Sequence, residues 1–154
     1  VPLLRRLAAA DVDFIVIGGV AVIAHGHVRV TKDLDIFYAT DAANLERLAT
    51  VLQSVDARLS GLTEDVPFVA DARTLRSMSV LPLDTSQGRL DLVASPDGAS
   101  PYRELADRSE TVDFGDVRVR VTSLDDLIAM KRAAGRLQDQ ADLQVLEAIR
   151  RLRG

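Results

Sequence analysis

Apolar residues follow two rhythms along the 154-residue chain, and a few polar residues break them. "LLRRLAAA" (3–10) has helical spacing, and "VDFIVIG" (12–18) is an almost unbroken apolar run that predicts a short buried strand ending at Gly18-Gly19. "GVAVIAHG" (19–26) predicts a short helix stopped by Gly26, and "LDIFYA" (34–39) a second strand. Asp41 is placed to cap a helix over 42–54, where Leu45, Leu48, Val51 and Leu52 form one face. Residues 56–77 have no clear pattern. "MSVLPLDT" (78–85) and "GRLDLVAS" (88–95) flank a turn and predict a hairpin. A short helix is expected at 100–107. A second hairpin is expected over 110–122, turning at Phe114-Gly115-Asp116. "SLDD" (123–126) resembles a capping box, opening a helix that Gly135 ends; "LQDQADLQVLEAIRRL" (137–152) forms the last helix. This order predicts one α+β domain over 1–154, a mixed sheet flanked by helices with C-terminal helices.

Composition narrows the function. No apolar run reaches the roughly 18 residues of a membrane span, and Asp11 and Asp13 interrupt the only segment resembling a signal peptide, so a cytoplasmic protein is expected. A start at Val1 rather than Met is expected of a trimmed chain. With no cysteine, any metal site must be oxygen-rich. A net charge of −4 gives no basic coat for nucleic acid, and two Tyr and four Phe make no base-stacking platform.

Three aspartates stand where strands should be apolar. Asp33 and Asp35 are two apart in "TKDLDIFYA", so their side chains share one face with Cα atoms roughly 7 Å apart. Like charges this close need protonation, a basic neighbour or a divalent cation. Asp91, in "RLDLV", completes a three-carboxylate set if its strand lies beside the first. Such a set suits two Mg²⁺ about 4 Å apart for in-line phosphoryl transfer, and Asp91 can alternatively serve as general base. The competing reading pairs Asp91 with Arg89 or Arg118. Upstream, Gly18 and Gly19 allow close backbone approach to a phosphate. Arg29, Thr31 and Lys32 suit phosphate contacts or charge balance. At the rear, Lys131, Arg132 and Arg136 lie on or just past one helix, and Asp139 and Asp142 share a helical face, the plain alternative being surface ion pairs. His25 is assigned to helix packing, His27 to an exposed loop, and Arg150, Arg151 and Arg153 to a solvated basic tail.

"GGVAVIAHGHVRVTKDLDI" (18–36) resembles the nucleotidyltransferase signature of the DNA polymerase β superfamily. Its finer form, Gly-Gly-x-Ala, His-Gly, Arg-x-Thr-x-Asp-Leu-Asp, is similar to small bacterial nucleotidyltransferases grouped with AbiEii-like abortive-infection toxins. "SLDDLIAMKRAAGRLQDQADLQVL" (123–146) resembles their C-terminal part. The resemblance implies that Gly18 and Gly19 cradle a nucleoside triphosphate, that Asp33, Asp35 and Asp91 hold Mg²⁺, that Lys131 reaches the phosphates, and that Asp139 and Asp142 stand on the acceptor side. It implies a macromolecular acceptor such as tRNA and a cognate antitoxin. An aminoglycoside-type small-molecule acceptor, or a non-catalytic nucleotide-binding or antitoxin module, are the alternatives. Gly19 departs from the superfamily, which more often has serine there.

Overall fold

Alternation along two strands sorts the molecule into two faces. The computed structural model describes residues 2–31, 33–61, 71–77 and 79–153. The helices are α1 (Pro2–Ala9), α2 (Gly18–Ala24), α3 (Ala42–Ser54), α4 (Ala72–Ser77), α5 (Tyr102–Arg108), α6 (Leu124–Ala134) and α7 (Leu137–Arg153). The strands are β1 (Phe14–Ile17), β2 (Asp33–Tyr38), β3 (Arg58–Leu59), β4 (Val80–Thr85), β5 (Gly88–Val93), β6 (Glu110–Phe114) and β7 (Val117–Val121). They form one mixed sheet of order β3-β4-β5-β2-β1-β7-β6. β2 runs antiparallel to β1 and parallel to β5, and β1 is parallel to β7. The architecture is α+β, with helices on the sheet and two at the C-terminus.

Val16, Leu34, Ile36, Leu90 and Leu92 point into the main core with Leu3, Leu7, Leu45, Leu48 and Leu52 of α1 and α3. The opposite face carries a smaller apolar cluster of Ile15, Ile17, Phe37, Leu105 and Met130. Asp33 and Asp35 belong to this second face because they alternate with Leu34 and Ile36. The apolar cluster stops at Ile17 and Phe37, and the sheet beyond it is left to the carboxylates.

The caps match the sequence pattern. Asp41 accepts from Asn44 N at 3.2 Å, Ser123 Oγ accepts from Asp126 N at 3.1 Å, and Gly135 ends α6 with φ +66°. Asp41→Ala is expected to cost about 1 kcal/mol in a urea titration, because it removes one helix cap.

Several boundaries differ from the pattern. β1 is shorter than 12–18, since Gly18 already opens α2. The unpatterned stretch holds β3 and α4, the first only two residues long, and 62–70 lies outside the described residues. His25 is buried, its Nε2 at 2.7 Å from Thr122 O, and ties the end of α2 to the strand β7 exit. His27 is half-buried rather than exposed, with Nε2 3.7 Å from Asp142 Oδ1. Arg150 pairs with Asp125 at 3.2 Å and Arg153 reaches within 3.8 Å of Glu110, so this end of α7 is tied down by surface ion pairs.

Candidate active site

Parallel pairing of β2 with β5 sets Asp35 directly against Asp91, and Asp33 against Arg89. Paired residues in neighbouring strands project to the same face, so the three carboxylates share one surface. The Asp35 and Asp91 side chains meet closely enough to share a hydrogen bond. Burial, followed by that contact with Asp91 and by the charges of Asp91 and Asp33, pushes the Asp35 carboxyl up to about 7 despite Lys131. At neutral pH without a cation the pair therefore tends to keep a proton. Asp91 Oδ1 is buried and lacks a hydrogen-bond partner. Arg89 Nε stands 3.6 Å from both Asp33 Oδ1 and Asp91 Oδ1, too long for a strong pair. Arg118 instead pairs with Asp113 at 2.7 Å and plays no part here.

The glycines are explained by what presses on them. Gly18 has φ +67°, and a Cβ there would collide with the Asp35 carboxylate. A Cβ on Gly19 would lie 2.7 Å from Thr31 Oγ1 and 2.9 Å from the Arg29 guanidinium. The missing serine thus has a structural counterpart: its space is filled by the Thr31 hydroxyl and Arg29. Lys32 lies outside the described residues.

Behind the carboxylates stands an ion-pair cluster. Lys131 Nζ lies 3.0 Å from Asp139 Oδ1 and 3.1 Å from Asp142 Oδ2. Asp142 also takes Arg29 Nη2 at 3.1 Å and Gln138 Nε2 at 3.0 Å. Arg29 Nε approaches Asp142 Oδ1 to 3.0 Å without hydrogen-bond alignment. Asp139 accepts from Arg136 three times, from its backbone N at 3.2 Å, from Nε at 2.7 Å and from Nη2 at 3.4 Å. Burial pushes the Asp139 carboxyl up, but Arg136 and Lys131 outweigh it and hold it below its ordinary value. Asp139 and Asp142 are thus core groups, not surface ion pairs. Their exposures are 1% and 0%. Arg132 does lie outside, paired with Glu147 at 2.6 Å.

A cavity of about 400 Å³ opens between these groups. Gly18, Asp35, Asp91, Lys131, Arg136 and Asp139 line its polar side, and Val80, Val93, Pro96, Leu127 and Met130 its apolar side. Asp33, half-exposed, lies outside this lining. Arg29, Thr31 and Asp142 also lie outside it; Asp142 pairs with the lining residue Lys131. Arg136 and the apolar wall have no periodic signature in the sequence. The one clue to Arg136 is its place after the helix-ending Gly135.

Among the described residues, no group of three acidic or histidine side chains is already gathered around one point. The donor set nonetheless fits a hard divalent cation: two carboxylates in contact, one with an orphaned buried oxygen, and a third on the same strand face. No helix among the described residues is long and apolar enough to cross a membrane.

Comparison with known proteins shows the family and the fold. Residues 4–152 match the family model described as "Nucleotidyltransferase of unknown function (DUF6036)". No curated protein matches the chain by sequence. Among solved structures, the lincosamide antibiotic adenylyltransferase LnuA, lincomycin-bound, is similar with TM-score 0.62 at 16% identity. That match covers 96% of this chain and 94% of the other. A putative nucleotidyltransferase from Thermotoga maritima gives TM-score 0.57 at 14% identity, covering 93% and 86%. An antigenic nucleotidyltransferase-like protein from Paracoccidioides brasiliensis gives TM-score 0.56 at 16% identity, covering 98% and 73%. At these identities the structures share the fold.

Proposed function

The chain belongs to this nucleotidyltransferase family, and on that premise we propose that it transfers a nucleoside monophosphate from a nucleoside triphosphate to an acceptor hydroxyl, releasing pyrophosphate. The observation that carries the reading is the meeting of Asp35 and Asp91 on paired positions of β2 and β5 beside Gly18. A divalent cation held by Asp33, Asp35 and Asp91, Mg²⁺ being the ion such oxygen donors favour, would supply charge neutralisation and alignment at the phosphate. Gly18, bare of a side chain, leaves the carboxylates open to the cavity. Lys131 adds positive charge at its far wall. Arg29 and Thr31 pack under Gly19 and set the first turn of α2. As an alternative to holding the cation, Asp91 would serve as general base toward the acceptor hydroxyl. Asp139 and Asp142 hold the cations of this wall in place.

The acceptor is where two readings divide. Likeness to AbiEii-like toxins favours a macromolecule such as tRNA, with a cognate antitoxin and a cytoplasmic setting. The cavity supports a second reading. Its apolar wall and volume of about 400 Å³ suit a compact small molecule, and an antibiotic adenylyltransferase shares the fold. A non-catalytic nucleotide-binding module is the third; it gives no reason to keep two carboxylates pressed together.

The test is incubation with each labelled NTP and Mg²⁺, offering total RNA, protein and small-molecule acceptors in turn. Label in tRNA is expected on the first reading and label in an aminoglycoside or lincosamide on the second. An enzyme that binds NTP but labels nothing would leave only the binding module.

A further inference from the structure

We infer that Arg136, at the corner between α6 and α7, makes the direct protein contact with the phosphate chain of the nucleotide, while Lys131 supports it from behind. The inference rests on the nucleotidyl-transfer reading above and names a residue that the sequence signature did not assign.

The argument is one of charge and access. In the buried cluster, three cations (Arg29, Lys131 and Arg136) face two carboxylates, Asp139 and Asp142. Within that cluster one positive charge is in excess; it faces Asp35 and Asp91 across the cavity, and it can touch a ligand only where it is exposed. The Lys131 side chain is 8% exposed, with both carboxylates within 3.1 Å. Arg29 is 19% exposed, braced on Asp142 and packed under Gly19. Arg136 is 78% exposed and lines the cavity with Asp35 and Asp91.

Arg136 is also held ready. Its backbone N–H and Nε donate to Asp139 Oδ2, at 3.2 and 2.7 Å, and Nη2 donates to Asp139 Oδ1 at 3.4 Å, so the stem and one edge of the guanidinium are fixed while its outer edge, in a side chain 78% exposed, faces solvent. A phosphate chain that displaced this water would meet an oriented planar fork, at a lower ordering cost than a free arginine imposes. Asp139 is then a positioning residue: fully buried, it is fixed by Lys131 and in turn fixes Arg136.

The competing account is that Arg136 serves only to cap α7 through Asp139. Calorimetric titration with Mg-NTP and with inorganic tripolyphosphate separates the two, using wild type, Arg136→Ala, Arg136→Lys and Arg132→Ala, each with a thermal melt. Arg136→Ala should bind both ligands about tenfold or more weakly, by the same factor, since the lost contact is to phosphate. Arg136→Lys should recover part of the loss. Arg132→Ala should bind as wild type does, and none of the melts should shift enough to account for the change. Wild-type affinity in Arg136→Ala, or a loss for NTP without one for tripolyphosphate, overturns the inference and leaves the transfer reading standing. If the wild-type protein binds neither ligand, both fall together.

Discussion

Asp33→Asn combined with Asp35→Asn is expected to reduce nucleotide transfer by about a hundredfold at the least, while leaving the cation-free protein as stable as wild type or more so. The two effects have one cause. Asp35 is pressed against Asp91 with Asp33 two residues away, so three carboxylates share one face of the sheet. That face suits a cation and is unfavourable without one. Asparagine keeps the shape, removes the repulsion and loses the cation. The pH dependence has a definite sign. Folding raises the Asp35 carboxyl from 3.8 to about 7, so between those values the native state keeps a proton that the unfolded chain releases. Its stabilising contribution is complete below about 4 and is lost as pH rises through about 7. Thermal melts in chelator should therefore show wild type losing stability over that window, and Asp35→Asn lacking this share of the slope. Divalent cation should stabilise wild type above pH 7 and not the double variant. Transfer at the wild-type rate by the double variant would remove the carboxylates from the chemistry.

The strands and caps were readable because local rules decide them. Asp41, Ser123 and Gly135 act within one helical turn, and each does what its residue type predicts. The alternation of Asp33, Asp35 and Phe37 against Leu34, Ile36 and Tyr38 likewise gave the shared face directly. Pairing of Asp35 with Asp91 was a conditional reading, because β2 and β5 are far apart in sequence and only the sheet order joins them. The stretch around β3 and α4 was not readable: a two-residue strand has too few positions to show a period.

The burial of the rear cluster was not legible for a clearer reason. Asp139 and Asp142 share a helical face, and charged residues on a helix usually face water. Yet Leu146 continues the same face and is fully buried. Two aspartates on the core-facing stripe of an amphipathic helix were the signal of a buried network. Its partners, Arg29 and Lys131, come from loop and helix positions that no periodicity links to α7. Arg136 has still less of a signature. It belongs to a corner, and only the fold turns that corner toward the carboxylates.

Asp142→Ala should be among the most destabilising substitutions in the chain, costing about 3 to 5 kcal/mol. Asp142 has no exposed surface, accepts from Arg29 at 3.1 Å and Gln138 at 3.0 Å, and pairs with Lys131 at 3.1 Å. Removing it leaves the Arg29 guanidinium, only 19% exposed, without a carboxylate and takes one of two from Lys131. The damage should travel forward. Arg29 packs where a side chain on Gly19 would stand, beside Gly18 and Asp35, so freeing it loosens the first turn of α2. Lys131→Ala should also destabilise, by less, since Arg136 still answers Asp139 and Arg29 still answers Asp142. Arg132→Ala, one residue along but facing water, should stay within about 0.5 kcal/mol of wild type. A double-mutant cycle of Arg29→Ala with Asp142→Ala gives the sharper reading. If the pair is the link from α7 to the glycine turn, the double variant should recover part of the summed loss, with a coupling of about 0.5 to 3 kcal/mol. Strict additivity in urea titrations would mean that Arg29 and Asp142 stabilise the fold independently, and that α7 reaches the glycine turn by another route.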